Sequence, residues 1–325
     1  MSVVFSILSC LQFQHHLLFL PSRRMEQTAS TPMSFRLASC NILFESYYSR
    51  HCRVPVMPAD ARIASWQNFA KTQLFASQDV VLLQEFPSGD LSWAGPIEAS
   101  GKKLVASAQR GDSTAVAYNP ETFELLDVSA AGTAVEVHRF PKGKTATRVL
   151  FKHRPTGQPV AVVSAHLPWA PDQPTRRTIL EELCNFTNGC VPPEFPVFVG
   201  GDFNIEANSI PPQDETEKND VLPAFTRTKG WHHLTEACQW SQMSRSGAVQ
   251  LDYVFGRWGF LDEHLYQKKT PWDALVRFSI VPDSWKELIK HDRFNEASHG
   301  PPFSQYFSDH AFVAVDIGVP AAGSK

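Results

Sequence analysis

The chain has 325 residues, with 30 Lys and Arg against 33 Asp and Glu for a formal net charge of −3, and 43% of it is hydrophobic. That much apolar material with so small a charge imbalance excludes a disordered chain, and nothing in it reads as collagen, coiled coil or disulfide scaffold. The near-neutral balance also argues against holding long duplex DNA by bulk charge, which needs a dense Lys/Arg face.

Residues 3–20 are mostly apolar, but Gln12, Gln14, His15 and His16 interrupt them, and neither a basic start nor a clean cleavage site is present. A secretory signal is therefore incomplete and stable membrane insertion is not expected. Arg23 and Arg24 leave a weak organelle-targeting reading. The blander one is an upstream start, with Met25 or Met33 heading the folded part. Residues 1–32 are read as a flexible or targeting extension, 33–319 as one domain and 320–325 as a short tail. The six cysteines (Cys10, Cys40, Cys52, Cys184, Cys190 and Cys238) contain no CxxC pair. Free, mostly buried thiols in a reducing, intracellular compartment are expected, in a monomeric protein.

From residue 35 the pattern alternates strands and helices. Residues 35–42 form a short apolar run that reads as a buried strand. Pro58 opens a helix in which Ile63, Trp66, Ala70 and Leu74 recur at helical spacing. Residues 79–84 are again a buried strand. Residues 113–118 and 123–128 read as neighbouring strands joined by an Asn119-Pro120 turn, and 148–152 and 160–166 flank the turn Pro155-Thr156-Gly157. A helix follows Pro174 through Ile179, Leu180 and Leu183 and stops near Asn188-Gly189. Residues 195–199, 251–255 and 310–317 supply further strands. The connection 205–250 is polar and should run over the surface, and the connection 256–308 holds a helix at 284–290 capped by Asp283. Many strands, few helices and no linker point to an α/β domain with two packed sheets.

The polar residues fall at the strand ends. Asn41 ends the first strand, Glu85 the second and His166 a third. Asp202 and Asn204 lie just past a fourth, and Asp252 and the pair Asp309-His310 open two more. Singly, each is an ordinary turn or loop residue. Together they are costly beside buried strands unless they pair with one another or hold a cation. The set is rich in oxygen and contains no thiol, which points to Mg²⁺, with Mn²⁺ as the alternative. Two histidines near such a cation suit acid–base work on a phosphate ester.

The ordered motifs Asn41, Gln84-Glu85, His166-Leu167, Gly201-Asp202-Phe203-Asn204, Asp252-Tyr253 and Ser308-Asp309-His310 resemble the endonuclease/exonuclease/phosphatase superfamily, the deoxyribonuclease I-like fold. The likeness runs from about Phe35 to Ile317. It implies a four-layer α/β/β/α sandwich, two mixed sheets face to face with helices outside, and one phosphoesterase site at the strand ends. It further implies that Glu85, helped by Asn41 and Asp309, holds the metal. Asp202 would orient and deprotonate water, and Asn204 would hold a phosphate oxygen. Asp252 would fix the tautomer of His310, and His166 would stabilise the pentacovalent state or protonate the leaving oxygen. How proton transfer divides among Asp202, His166 and His310 stays open. Asn41-Ile42-Leu43 with Tyr47-Tyr48, and the run from His166 to Pro171, look like the nocturnin and angel branch of deadenylase-like enzymes, although Ala165 stands where that branch usually has Thr.

Tyr118 and Arg148, on strands between Glu85 and His166, and Trp169, three residues past His166, are candidate substrate contacts. Trp231-His232-His233 is a poor metal site, because adjacent histidines on a strand face opposite ways. The function expected is a Mg²⁺-dependent phosphodiesterase acting on nucleic acid, RNA or single-stranded DNA. The alternatives are a phospholipid or inositol-phosphate hydrolase, and a catalytically silent binding protein.

Overall fold

The structure is a computed structural model, and the residues it describes are 33–43, 58–87, 89–107, 112–126, 133–189, 191, 195–205, 231–235, 242–244, 247–257, 310 and 312–319. The expected N-terminal extension, the C-terminal tail, the helix at 284–290, Asp309 and most of the connection 205–250 lie outside them.

In chain order the elements begin with β1 (Met33–Asn41) and α1 (Ala59–Phe69). That helix continues through a π-helical turn, Ala70–Leu74, into a last turn, Phe75–Ser77. There follow β2 (Val80–Pro87), α2 (Leu91–Ala99), β3 (Lys103–Ala106), β4 (Asp112–Tyr118), β5 (Phe123–Leu125), β6 (Val135–Arg139), β7 (Thr145–His153) and β8 (Pro159–His166). After them come α3 (Gln173–Asn188), β9 (Val197–Asp202), β10 (His232–His233), β11 (Gln242–Ser244), β12 (Gly247–Val249), β13 (Asp252–Arg257) and β14 (Val313–Val319).

One sheet has the order β14-β1-β2-β4-β3 and the other β10-β13-β9-β8-β7-β5, with β6 also on β7; β11 and β12 form a separate ribbon. Each large sheet is mixed: β1–β2 and β8–β9 are parallel, and their other pairs are antiparallel. Sequence reading makes 113–118 and 123–128 partners, and here the structure differs. β4 belongs to the first sheet and β5 pairs with β7 in the second, so the Asn119-Pro120 turn carries the chain across the sandwich. Local pattern shows a turn between two strands but not whether they share a ladder.

The three cores follow from strand alternation. Phe35, Leu37, Val80, Leu82, Val116, Val160, Val162, Phe198 and Val254 point between the sheets. Their neighbours Ala38, Cys40, Val81 and Leu83 point outward onto Trp66, Ala70, Leu74, Trp93 and Ile97 of α1 and α2. On the other side Ala161, Val163, Val197 and Val199 meet Ile179, Leu180 and Leu183 of α3. The result is four layers, α/β/β/α, as expected. Helix α3 starts where it should, because Asp172 accepts from Thr175 N–H at 2.8 Å as its N-cap.

Candidate active site

The face between the sheets is apolar at one end and polar at the other. Along β1 it reads Phe35, Leu37, Ser39, Asn41. Along β2 it reads Val80, Leu82, Gln84, and along β8 Val160, Val162, Ser164, His166. β9 goes from Phe198 to Asp202, and β13, running the other way, starts at Asp252 before Val254. Strand register then collects the polar ends: Asn41 is opposite Gln84, His166 opposite Asp202, and Asp202 opposite Asp252. A polar floor joins the sheets just below. Ser39 Oγ donates to Gln84 Oε1 at 3.3 Å, Gln84 Nε2 to Ser164 Oγ at 3.1 Å, and Ser164 Oγ to Leu83 O at 2.8 Å.

Two backbone features break the alternation among these polar ends. Strict parity would point Glu85 away from Gln84, to the helix side. The β2–β4 ladder instead slips between Leu83 and Phe86, and Glu85 takes φ 54°, which brings its carboxylate to Asn41. Gly201 has φ 152°, and a Cβ there would lie 1.7 Å from Ala165 O, so only glycine lets β9 come this close to β8 beside His166.

Asn41 Nδ2 donates to Glu85 Oε1 at 3.2 Å and to Asp202 Oδ2 at 3.0 Å, and Leu43 N–H donates to Asn41 Oδ1 at 2.9 Å. The Leu43 N–H fixes which way the amide is turned, since it must face an acceptor. Asn41 thus clasps two carboxylates as a donor, and its oxygen serves the backbone. The expected ligand oxygen is turned away from the carboxylates. Behind it the fully buried Arg62 donates to Ile42 O at 2.7 Å and to Leu43 O, with its guanidinium 4.9 Å from the Trp93 ring. That cation holds the end of β1 in place.

The two histidines differ in the partner of Nδ1. His310 Nδ1 lies 2.8 Å from Asp252 Oδ2, so it carries the hydrogen, and His310 Nε2 faces Asp202 Oδ2 at 3.9 Å. His166 Nδ1 lies 3.4 Å from Lys144 Nζ, which can only donate. In the neutral ring of His166 the hydrogen therefore sits on Nε2, which points at Asp202 Oδ2 (3.5 Å) and Glu85 Oε1 (3.7 Å). Asn204, at φ 50°, donates its backbone N–H to Asp202 Oδ1 and its side-chain amide to Leu167 O, both at 2.8 Å. One of its amide hydrogens thus ties two loops together rather than facing a phosphate.

Glu85, His166 and Asp202 offer ligand atoms within 4.8 Å of one another. With Asp252 they place three carboxylates in a region almost closed to water (Glu85 6%, Asp202 2%, Asp252 0% exposed). Packed anions at such depth are costly unless they are paired or neutralised, and oxygen donors without thiols would suit a hard divalent ion. The expected ligand Asp309 lies outside the described residues.

Two expected substrate contacts are elsewhere. Tyr118 is opposite Val80, at the far end of β2 from Glu85, and it packs on Phe151 in the inter-sheet core, where burial pushes its phenol pKa up. Arg148 points from β7 to the helix side. It donates to Phe186 O at 2.6 Å, to Gly189 O and to Glu136, closing the C-terminal turn of α3. A cation at a helix C-terminus is favourable, and that is its task. Trp169 is on the rim, 58% exposed. Arg62, Lys142 and Lys144 belong to none of the strand-end motifs. For Arg62 a signal was available, since it precedes Trp66 by four residues on the buried stripe of α1.

A model of the "Endonuclease/Exonuclease/phosphatase family" matches residues 40–310. No curated protein matches the chain in sequence. Among solved structures, the catalytic domain of human nocturnin with bound sulfate is 15% identical, covers 88% of this chain and 95% of its own, and superposes with a TM-score of 0.54. ANGEL2, described as a 2′,3′-cyclic phosphatase and bound to adenosine-2′,3′-vanadate, is 14% identical over 89% of this chain and 97% of its own, at 0.58. D. rerio TDP2 complexed with a single-stranded DNA product is 14% identical over 87% and 98%, at 0.55. Identities this low speak for the fold.

Proposed function

Because the chain belongs to the endonuclease/exonuclease/phosphatase family, we propose that it is a divalent-metal-dependent phosphoesterase, and specifically a phosphodiesterase that hydrolyses RNA or single-stranded DNA. The observation that carries this reading is the convergence of Glu85, His166 and Asp202 within 4.8 Å, clasped by Asn41 and faced by the His310–Asp252 pair.

Bound at Glu85 and Asp309, Mg²⁺ or Mn²⁺ would offset the carboxylates and the charge building on the phosphoryl oxygens. Asp202 is held at both oxygens, by Asn41 and by the Asn204 N–H, which orients it to take a proton from the attacking water. His166 Nε2–H is directed into the same space, where it can donate to a phosphoryl or leaving oxygen. Asp252 holds His310 with Nε2 toward Asp202, and an imidazolium formed there would remain paired. The attacking oxygen bonds to phosphorus as the leaving oxygen departs with a proton.

Purified full-length chain with Mg²⁺ is to be assayed on single-stranded RNA, single-stranded DNA, sphingomyelin and bis-p-nitrophenyl phosphate, beside Asp202→Asn and His310→Ala. The nucleic acids and the nitrophenyl diester should be cleaved, EDTA should stop the reaction, and each variant should lose at least about 100-fold in kcat. Equal inertness of wild type and variants on every substrate would refute the reading. Cleavage of sphingomyelin alone would transfer the site to lipids.

A further inference from the structure

The loop that follows His166 is fixed in its backbone and open at one side chain. Leu167 N–H donates to Asp202 O at 2.9 Å, and Leu167 O accepts from Asn204 at 2.8 Å. Trp169 O accepts from Lys142 Nζ at 3.0 Å, and Ala170 O from Arg176 Nε at 2.9 Å. Leu167 and Ala170 are buried, and between them the Trp169 indole projects outward. A single exposed aromatic is ordinary. Its neighbours here are not.

The turn between β6 and β7 lies against this loop. Its Phe140 is buried, and Phe140 N–H closes the turn on Lys144 O at 2.8 Å. Lys142 sits at φ 59°, a left-handed conformation that lysine seldom adopts, just before Gly143 at φ 76° in the same turn. Its ammonium is 5.7 Å from the centre of the Trp169 ring. Two residues on, Lys144 reaches to 3.4 Å from His166 Nδ1. From the carboxylates outward, Asp202, His166 and Lys144 follow one another, and Lys142, two residues from Lys144 on the same turn, pairs with Trp169. Two ammonium groups followed by an indole complement an anion followed by an aromatic ring.

We propose that Lys142, Lys144 and Trp169 form a nucleotide subsite, in which the two lysines hold a second, non-scissile phosphate and Trp169 stacks on a nucleobase. This rests on the phosphoesterase reading above and narrows its substrates to those bearing a base. Inositol phosphates carry several anions but have nothing to stack, and phospholipids have no base either.

Isothermal titration of the full chain without added metal tests the subsite in the absence of turnover. The probes are adenosine 3′,5′-bisphosphate, adenosine 5′-phosphate and inositol 1,4-bisphosphate. The adenosine bisphosphate should bind about tenfold more tightly than the inositol compound, in keeping with stacking on one aromatic side chain. Trp169→Ala should abolish that preference and Trp169→Phe should retain most of it. Lys142→Gln should reduce the advantage of the bisphosphate over adenosine 5′-phosphate. Equal affinity for the two bisphosphates, a preference untouched by Trp169→Ala, or no measurable binding of any probe would each overturn the proposal. Turnover of bis-p-nitrophenyl phosphate by the same preparation reports the parent reading separately. A chain that cleaves the diester without a base preference keeps the phosphoesterase and loses the subsite. A base preference in an inert chain leaves a nucleotide site without the reaction.

Discussion

Gly201→Ala tests whether the close approach of β8 and β9 is what holds the proposed reacting groups. A Cβ at Gly201 would lie 1.7 Å from Ala165 O and 2.7 Å from Ala165 C, and Cβ contacts below 3.0 Å are essentially never seen. Either the strands part by about 1.3 Å or residue 201 leaves φ 152°. The next pair along this ladder is His166 opposite Asp202, so the displacement falls directly on the 3.5 Å spacing of His166 Nε2 and Asp202 Oδ2. A misplacement of about 1 Å at a reacting group costs roughly 100-fold in rate. Strain at a conformation reserved for glycine costs roughly 1–3 kcal/mol, and a weakened ladder bond beside it adds about 1 kcal/mol. Steady-state hydrolysis of bis-p-nitrophenyl phosphate should show kcat down about 100-fold, and a thermal melt should show the midpoint lower by roughly 3–7 °C. A variant with wild-type kcat and wild-type melting would refute the reasoning. A lower midpoint with kcat intact would show that this contact supports the sheet but not the site.

Three further outcomes are expected. Arg62→Met leaves the carbonyls of Ile42 and Leu43 without their donor and loosens Asn41 at one remove; kcat should fall about tenfold with KM little changed, and Arg62→Lys should recover part of it. Gln84→Leu unfastens Ser39 from Ser164 across the sheets and should lower urea stability by about 1–2 kcal/mol at constant m. Burial among Tyr253 and Phe255 pushes the His233 pKa down to about 4. The folded state therefore resists protonation, and stability present above pH 6.5 should be lost as the pH falls toward 4, by at most about 3 kcal/mol for this group. Urea unfolding at pH 7.5 and 5 should show a steeper acid loss for wild type than for His233→Leu, and equal slopes would contradict the assignment.

Much of the site can be read from the chain because its organising rule is local. On β1, β2 and β8 every second residue turns from aliphatic to polar near the C-terminal end, as in Val160, Val162, Ser164, His166, and a period of two is visible without a structure. Glu85 was legible as a residue, but the bulge that turns it inward was not, since that slip exists only in the ladder with β4. Arg148 and Tyr118 mislead for the same reason. Each lies on a strand of the right sheet, and nothing near it in sequence tells that one closes α3 while the other packs at the wrong end of the sandwich.

The 325 residues by themselves determined the α/β class and the family, and they marked an oxygen-rich, thiol-free set of polar residues at the strand ends. All of these follow from periodicity and from short motifs. Only the tertiary structure decided which groups meet. It turned Asn41 into a clasp between Glu85 and Asp202, set one histidine against Asp252 and the other against Lys144, and placed Lys142 beside Trp169. Those contacts join residues far apart in the chain, and a hydrogen-bonding group is assigned its role by the partner it reaches, which sequence spacing does not fix.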